Sequence, residues 1–437
     1  MNAGRILVAL MFVVGALGAW LNGDVLYSRL VYISMFLVII SWVWTRWVIR
    51  GLSLERSTRE QRANVGDVLE ENYRLANKSL IPAPWIEVAN QSPMPLAAGS
   101  RLFTLVMRRQ QRNYTARSWL TRRGGFPLGP TRVTTGDPFG LFSARKTILP
   151  DETLVVFPII YEIPSFPFPY GLLPGGQVIR RKSPDITPHA AGVREYVHGD
   201  AMKRIHWSTS ARRNRLMVKE FEQDPNAEIW IYLDAQMSVH YEKQHRQPDV
   251  SLDSMLLVKR PKFNLPPSTL EYSVSVAASL AHYFIAQRRA VGMVSAGHTF
   301  TVHSAERNER QEAKILETLA FVKADGTLSI EALVAAQASQ LPQRSTVILI
   351  TPTVRPGLLQ AVDDLQLRYL HPIVVLLEVH TFGGPQGTSD IVNALRERQI
   401  PVHVIACGDN ISQVLAEIPA TFQTQGAFSW QTPVLSP

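Results

Sequence analysis

Residues that could bind a charged ligand are concentrated between positions 194 and 221 of this 437-residue chain. The candidates are Arg194, Tyr196, Gly199, Asp200, Arg204, His206, Trp207, Ser210 and Arg212. The three arginines could hold a phosphate or a carboxylate, because guanidinium groups bind such oxyanions through paired hydrogen bonds. His198, Asp200 and His206 could instead ligate a metal ion. We favour an ion-pair network that fixes this basic segment to its neighbours, with partner docking as the main alternative.

This run also has a recognisable order. It reads R-x-Y-x-x-G-D-x-x-x-R-I-x-W-x-x-S-A-R from Arg194 to Arg212, and L-x-V-K-E follows from Leu216. The pattern resembles the signature of the domain-of-unknown-function 58 family. Asp-Pro-Phe-Gly-Leu-Phe from Asp137 and two apolar amino-terminal segments fit the same family. The resemblance implies a bacterial membrane protein with a von Willebrand factor type A-like domain, often associated with a MoxR-type AAA ATPase and without an established enzymatic activity.

The type A-like resemblance also implies a place for a divalent cation. Such domains hold Mg²⁺ with an Asp-x-Ser-x-Ser motif after the first strand, a later Thr and a second Asp. Asp234, Ser238 and Thr327 match part of this set, but Gln236 replaces the middle serine and Pro352 stands where the second aspartate is expected. A single carboxylate holds Mg²⁺ weakly. We therefore expect a degenerate edge that docks a protein or caps the sheet, with weak Mg²⁺ binding as the alternative.

Two uncharged apolar runs, Ile6 to Leu21 and Leu30 to Trp44, open the chain. Each is nearly long enough to cross a bilayer as a helix. Arg5 precedes the first run and several arginines from Arg46 onward follow the second. Because basic residues stay on the cytoplasmic side, we expect a two-pass hairpin over residues 1–50 in a bacterial inner membrane, with both termini and the bulk of the chain cytoplasmic. A cleaved signal peptide and a buried hairpin are the alternatives.

Residues 51–165 alternate in short apolar and polar segments, which is typical of a β-sandwich-like domain. Eight arginines and no acidic residue lie between Arg101 and Arg132, and they are Arg101, Arg108, Arg109, Arg112, Arg117, Arg122, Arg123 and Arg132. This predicts a solvated sheet face near anionic lipid or, as the alternative, a surface that binds an anionic ligand or nucleic acid. The segment from Asp137 to Phe142 has the pattern of a turn, and we expect its apolar side chains to be buried.

Residues 166–227 read as a basic connector that carries the signature, with a helix from Asp200 to Arg212 that could bury Ile205, Trp207 and Ala211. Strands and helices then alternate over 228–425, which predicts an α/β domain, von Willebrand type A-like, with a mostly parallel sheet. A polar insertion at 241–267 interrupts it, and a tail at 426–437 ends the chain.

The composition of the chain favours some classes of partner and excludes some classes of site. The net charge of +9 favours anionic partners, and a single cysteine, Cys407, excludes a disulfide framework. P-loop, dinucleotide and His-Glu-x-x-His motifs are absent from the sequence. We expect a membrane-anchored, non-enzymatic scaffold whose partners are lipid and a protein, and we expect no nucleic acid. The resemblance suggests a MoxR-type AAA ATPase as the protein partner. The alternative is an enzyme or binder acting on a phosphorylated ligand through the Arg194–Arg212 residues.

Overall fold

The computed structural model describes residues 3–150, 152–167, 190–196, 205–221, 228–244 and 264–417. The chain divides into two units. The first runs from the amino end to Ile159, and the second holds most of the chain from Ile160 onward. The predicted tail at 426–437 and most of the predicted insertion at 241–267 lie outside the described residues.

Two long apolar helices begin the first unit. They are α1 (Ala3–Asn22) and α2 (Val25–Gly51). Both are long and apolar enough to cross a membrane by length and composition. The second helix is longer than the predicted run, because it continues past Trp44 and leads directly into the first strand. The two helices lie close together at Gly18, where a Cβ atom would come within 2.3 Å of the Tyr27 ring.

Ten strands follow in the first unit. They are β1 (Leu52–Thr58), β2 (Arg62–Asn64), β3 (Val68–Asn77), β4 (Ala83–Asn90), β5 (Arg101–Val106), β6 (Gln111–Trp119), β7 (Gly124–Pro127), β8 (Thr131–Gly136), β9 (Ser143–Ile148) and β10 (Thr153–Phe157). The β-rich character predicted for this region is confirmed. One pair departs from an antiparallel arrangement, since β2 and β10 run parallel.

Two antiparallel sheets of this unit share one apolar core. Their strand orders are β1-β3-β6 and β5-β4-β8-β9, and together we call them the sandwich. Leu54 and Leu75 from the first sheet pack with Ile86, Val106 and Val133 from the second. Val48 and Ile49 of α2 join the same cluster, so the last turns of the helix are part of the core of the sandwich.

A charged pair is buried in the sandwich. Glu71 on β3 is fully buried and accepts a hydrogen bond from Nε of Arg56 on β1 at 2.7 Å. The Arg56 guanidinium also lies over the Tyr73 ring, 5.3 Å from its centroid. Burial raises the pKa of Glu71 above 4.5, although the neighbouring Arg56 charge lowers it. The carboxylate therefore depends on this one arginine for its charge balance.

The second unit contains two strands of a small hairpin and a larger α/β array. Its elements are β11 (Ala190–Glu195), α3 (Trp207–Arg213), β12 (Met217–Phe221), β13 (Ile229–Leu233), α4 (Thr269–Ala286), β14 (Val291–Ala296), β15 (Phe300–Glu306), α5 (Glu309–Phe321), α6 (Ile330–Gln337), β16 (Thr346–Thr351), α7 (Gly357–Leu367), β17 (His371–Leu377), α8 (Thr388–Glu397), β18 (Val402–Ile405) and α9 (Ile411–Ala416).

The large sheet of this unit is mixed and mostly parallel, as predicted. Its order is β15-β14-β13-β16-β17-β18, with only β15 antiparallel to its neighbour. Strand β13 is buried at every position because helices cover both faces. The chain leaves β13 toward one side of the sheet and later returns to the other side through β16. Open parallel sheets bind ligands at such a reversal, beyond the carboxyl ends of the strands.

Candidate functional site

The carboxyl ends of β13 and β16 meet at Asp234. Its side chain is 1% exposed. One carboxylate oxygen accepts the hydroxyl of Thr351 at 2.6 Å, and the other accepts the backbone N–H of Gln236 at 3.0 Å. The backbone N–H of Asp234 donates to the carbonyl of Ile350 at 3.0 Å. The acid is therefore held inside the protein by bonds to two neighbouring segments.

Burial changes the acidity of this group. The loss of solvent raises the pKa of Asp234 from 3.8 to about 6, despite the bonds from Thr351 and Gln236 that lower it. Glu331 adds to the rise and Arg355 opposes it, which places both charged groups within electrostatic range. The carboxyl group thus keeps its proton to a higher pH than an exposed aspartate does.

The loop before α6 completes this edge of the sheet. Gly326 donates its N–H to the Ala235 carbonyl at 3.0 Å and accepts from the N–H of Met237 at 2.9 Å. A Cβ atom at position 326 would lie 2.0 Å from the Ala296 carbonyl oxygen, so only glycine allows this approach. The structure consequently brings the segment with Ser238 and the segment with Thr327 together, beside the end of β14.

The predicted cation ligands differ in exposure. Asp234 is buried, whereas Ser238 and Thr327 face solvent. The described residues contain no group of three or more His, Cys, Asp or Glu side chains that could hold a metal. With one carboxylate that is already engaged, the donor set suits Mg²⁺ poorly. Weak cation binding by Asp234, Ser238 and Thr327 stays a prediction.

Several exposed side chains surround the buried acid. We call them the edge surface: Met237, Ser238, Thr327, Leu328 and Arg355. Met237 is 71% exposed and Leu328 is 40% exposed. Two large apolar side chains beside polar and cationic groups are typical of a surface that another protein covers. The edge surface therefore combines exposed apolar and polar side chains around a buried acid.

Within the signature, His206 and Ser210 have structural roles. Nδ1 of His206 accepts the N–H of Thr209 at 3.2 Å and so caps the start of α3. Ser210 is buried, its hydroxyl donates to the His206 carbonyl at 3.0 Å, and it accepts the N–H of Met217 at 2.8 Å. These bonds hold α3 against β12. They are not ion pairs, so the ion-pair network expected for this segment stays a prediction.

The helix in the signature is shorter than predicted. It begins at Trp207 rather than at Asp200, and Ile205 before it is buried in a bridge to Val218. Because the helix starts later, Trp207 and Ala211 are exposed instead of buried, and the expectation for these two residues was wrong.

The structure describes only some of the other signature residues. Arg194 is in β11 opposite Val218, and Tyr196 is half-buried, with its N–H bonded to the Leu216 carbonyl at 2.8 Å. Arg212 is exposed. The predicted residues Gly199, Asp200 and Arg204 lie outside the described residues, and so does His198.

Comparison with known families gives one match in this region. Residues 192–376 match the family described as Protein of unknown function DUF58. The matched stretch begins in β11 and ends in β17, so it includes the small hairpin, Asp234 and Thr351. A curated relative from Bacillus subtilis, the uncharacterized protein YeaD, is 25% identical over 288 residues. That match covers 63% of this chain and 64% of the relative.

Two solved structures show a weak likeness to this chain. A conserved hypothetical protein, BatB from Bacteroides thetaiotaomicron, is 14% identical, with 35% of this chain and 67% of that chain covered and a TM-score of 0.24. The CARDB domain of the PF1109 protein from Pyrococcus furiosus, solved with di-metal ions, is also 14% identical, with 24% of this chain and 91% of that chain covered and a TM-score of 0.18.

Thr351 is the site residue that the sequence did not reveal. It ends β16, and its hydroxyl both donates to Asp234 and accepts the N–H of Thr353 at 3.0 Å. The only signal in the sequence is a hydroxyl residue at the end of an apolar strand. That signal becomes meaningful once β13 and β16 are known to be neighbours.

Proposed function

We propose that this protein is a membrane-anchored interaction protein that performs no chemistry of its own. Its α/β unit would present the edge surface to a cytoplasmic protein partner. The observation that carries the proposal is the state of Asp234: the acid at the centre of the edge is buried and bonded internally, while the apolar Met237 and Leu328 beside it are exposed. Catalytic acids need contact with a substrate, whereas exposed apolar side chains favour contact with a protein.

The finer assignment of the α/β unit is a von Willebrand factor type A-like domain. A first strand that ends in an acid, then a helix, a strand hairpin and further β–α units support it. In such domains the carboxyl edge of the sheet is the contact surface. The assignment therefore agrees with the placement of Met237, Ser238 and Thr327.

The anchor in this proposal is the pair α1 and α2 in a bacterial inner membrane. Arg5 begins the first helix, and Arg46 and Arg50 lie in the last turns of the second. Only Arg29 and Asp24 carry charge in and beside the connecting turn. The excess of basic residues at the open end of the hairpin favours cytoplasmic termini.

A MoxR-type AAA ATPase is the partner that the family resemblance suggests. The test uses the full chain in lipid nanodiscs and the MoxR-type ATPase encoded in the same genome as the probe. Met237→Glu and Leu328→Glu should each weaken binding at least about tenfold, because they place a charge in the centre of the contact.

Leu367→Glu is the matched control. Leu367 is an exposed leucine at the end of α7. This helix ends just before the amino end of β17, so Leu367 lies at the opposite end of the strands from the edge surface. Its variant should bind like the wild type. Equal affinities for all three variants would refute the edge surface as the contact, and absence of wild-type binding would refute the ATPase as the partner.

A further inference from the structure

Three loops of the sandwich lie at the end where the two helices join it. They are 78–82 between β3 and β4, 107–110 between β5 and β6, and 137–142 between β8 and β9. The strand registers place them together, since Leu52 pairs with Asn77 and Ala83 with Val106. We call this end the base of the sandwich.

Direct contacts tie these loops to the helices. The N–H of Lys78 donates to the carbonyl of Gly51, the last residue of α2, at 2.8 Å. Nε1 of Trp44 donates to the Pro82 carbonyl at 3.2 Å. The loop at 78–82 therefore runs along the last two turns of α2, a height of about 10 Å. The loop at 137–142 meets the start of α1, where Nε of Arg5 donates to the Leu141 carbonyl.

Large apolar side chains project from the base into solvent. Leu80, Leu105, Met107 and Phe139, which we call the base patch, are between 52% and 64% exposed. The Asp-Pro-Phe-Gly-Leu-Phe turn was expected to bury its apolar residues, and Leu141 is buried as expected, but Phe139 is not. A group of exposed apolar side chains at one end of a domain marks a surface that meets a membrane or another protein.

The exposed charges of the three loops have one sign. They are Lys78, Arg108 and Arg109. The three loops contain one acidic residue, Asp137, which is buried and accepts hydrogen bonds from the backbone N–H groups of Phe139, Leu141 and Phe142. The base thus presents cations among apolar side chains. This combination suits the headgroup layer of an anionic membrane, where apolar tips enter the acyl boundary and basic groups meet phosphates.

Not all of the predicted arginines of the 101–132 stretch share this position. Arg112 lies near the base, because it pairs with Leu75 at the start of β6. Arg117 instead pairs with Glu70 at 2.8 Å, and Arg123 is buried. The expected basic face is therefore divided.

We propose that the base of the sandwich is a lipid-binding surface. The base patch enters the interfacial layer of the leaflet at the carboxyl end of α2, and Lys78, Arg108 and Arg109 bind anionic lipid headgroups. This inference rests on the part of the proposed function that places α1 and α2 in a membrane. It goes beyond that part because it assigns a second contact with lipid to loops that are distant in sequence from the two helices.

The test places an environment-sensitive fluorophore on single cysteines in the full chain, after Cys407→Ser. The variants are Leu80→Cys and Met107→Cys at the base, with Leu149→Cys as the matched control. Leu149 is an exposed leucine next to Ile148, which pairs with Thr131 at the opposite end of the sandwich. Phe36→Cys in the middle of α2 reports whether the helices are in the bilayer.

The labelled proteins are reconstituted in nanodiscs that contain nitroxide-labelled lipid. We expect strong quenching at positions 36, 80 and 107 and almost none at 149. Quenching at 36 alone would overturn the lipid-binding surface and leave the anchor intact. Absence of quenching at 36 would overturn the anchor, and with it the proposal.

A second arm tests the headgroup charge with Arg108→Glu/Arg109→Glu. Nanodiscs of phosphatidylcholine alone are compared with nanodiscs that contain about 30% phosphatidylglycerol. Anionic lipid should strengthen quenching at Met107→Cys, and the double variant should lose this gain. Arg59→Glu/Arg122→Glu, with the same charge change at exposed sites away from the base, should keep it. Equal behaviour of the two double variants would refute the basic contact with headgroups.

Discussion

The hydroxyl of Thr351 donates to the buried carboxylate of Asp234 across 2.6 Å, between residues 117 positions apart in the chain. This bond joins the carboxyl ends of the parallel strands β13 and β16. The chain adds β14 on one side of β13 and β16 on the other, so the order in which strands are added reverses here. The bond also keeps this acid inside the protein. The exposed neighbours of Asp234, rather than the acid itself, are then available to a partner.

The stability of the second unit should depend on pH through Asp234. Its pKa is raised in the folded state, so the folded protein holds the proton more tightly than the unfolded chain, and stability is lost as pH rises between about 4 and 6. A rise from 3.8 to about 6 corresponds to about 3 kcal/mol. Asp234→Asn removes the charge. Its single carbonyl oxygen can keep the bond from the N–H of Gln236, while its amide nitrogen can only donate to the Thr351 hydroxyl, which reverses the direction of that bond.

We therefore expect the stability of Asp234→Asn relative to the wild type to increase by about 2 kcal/mol between pH 4.5 and pH 8. Denaturant unfolding at several pH values would measure the difference. Glu397→Gln, at an exposed site in α8, should show little change over the same range. A constant difference for Asp234→Asn would contradict the raised pKa.

Removal of Arg56 should destabilise the sandwich. Arg56→Ala leaves the carboxylate of Glu71 buried without its cation, at a cost of about 3–5 kcal/mol. Adding Glu71→Gln should recover much of this loss, because the uncompensated charge is gone. Arg117→Ala breaks an exposed pair between β3 and β6 and should cost less than about 1 kcal/mol. Similar losses for the two arginine variants would show that burial of Glu71 has little effect.

The turn at 137–142 should depend on the carboxylate of Asp137. Asp137→Ala leaves three backbone N–H groups without their acceptor, and we expect a loss of about 2–3 kcal/mol. Limited proteolysis should then cleave this turn faster. Asp67→Ala, which removes a single bond to the N–H of Asn64, should have a smaller effect on both measurements. A wild-type cleavage pattern for Asp137→Ala would argue against this role.

Magnesium should bind weakly or not at all. Titration calorimetry of the full chain in detergent should give no saturable heat in the micromolar range, because Asp234 is a single buried carboxylate that already accepts two hydrogen bonds. Micromolar binding that disappears in Asp234→Asn would reverse this conclusion. It would make the edge a cation site.

The spacing of apolar residues along the sequence was enough to predict most strands and helices of the second unit. Strands β13, β16, β17 and β18 are apolar runs bounded by turns, and the helices between them have regular apolar spacing. The position of α3 could not be predicted in this way. The cap from His206 and the bridge between Ile205 and Val218 determine where the helix begins, and both depend on the fold of the hairpin.

The candidate site was predictable in part. Asp234 was identified through the resemblance to type A-like domains, in which an acid follows the first strand. Its burial and its bond to Thr351 depend on which strands are neighbours. Phe139 shows the same limit: its apolar surroundings in the sequence suggested burial, but its place at the end of the sandwich leaves it exposed.

The strands β3 and β6 run the full length of the sandwich, from the end at the helices to the pair Val68 and Trp119. Ten residues of β3 measure about 30 Å. The length of the sandwich is therefore close to the thickness of the hydrocarbon core of a bilayer. Whatever contacts its far end lies about 30 Å from the carboxyl end of α2.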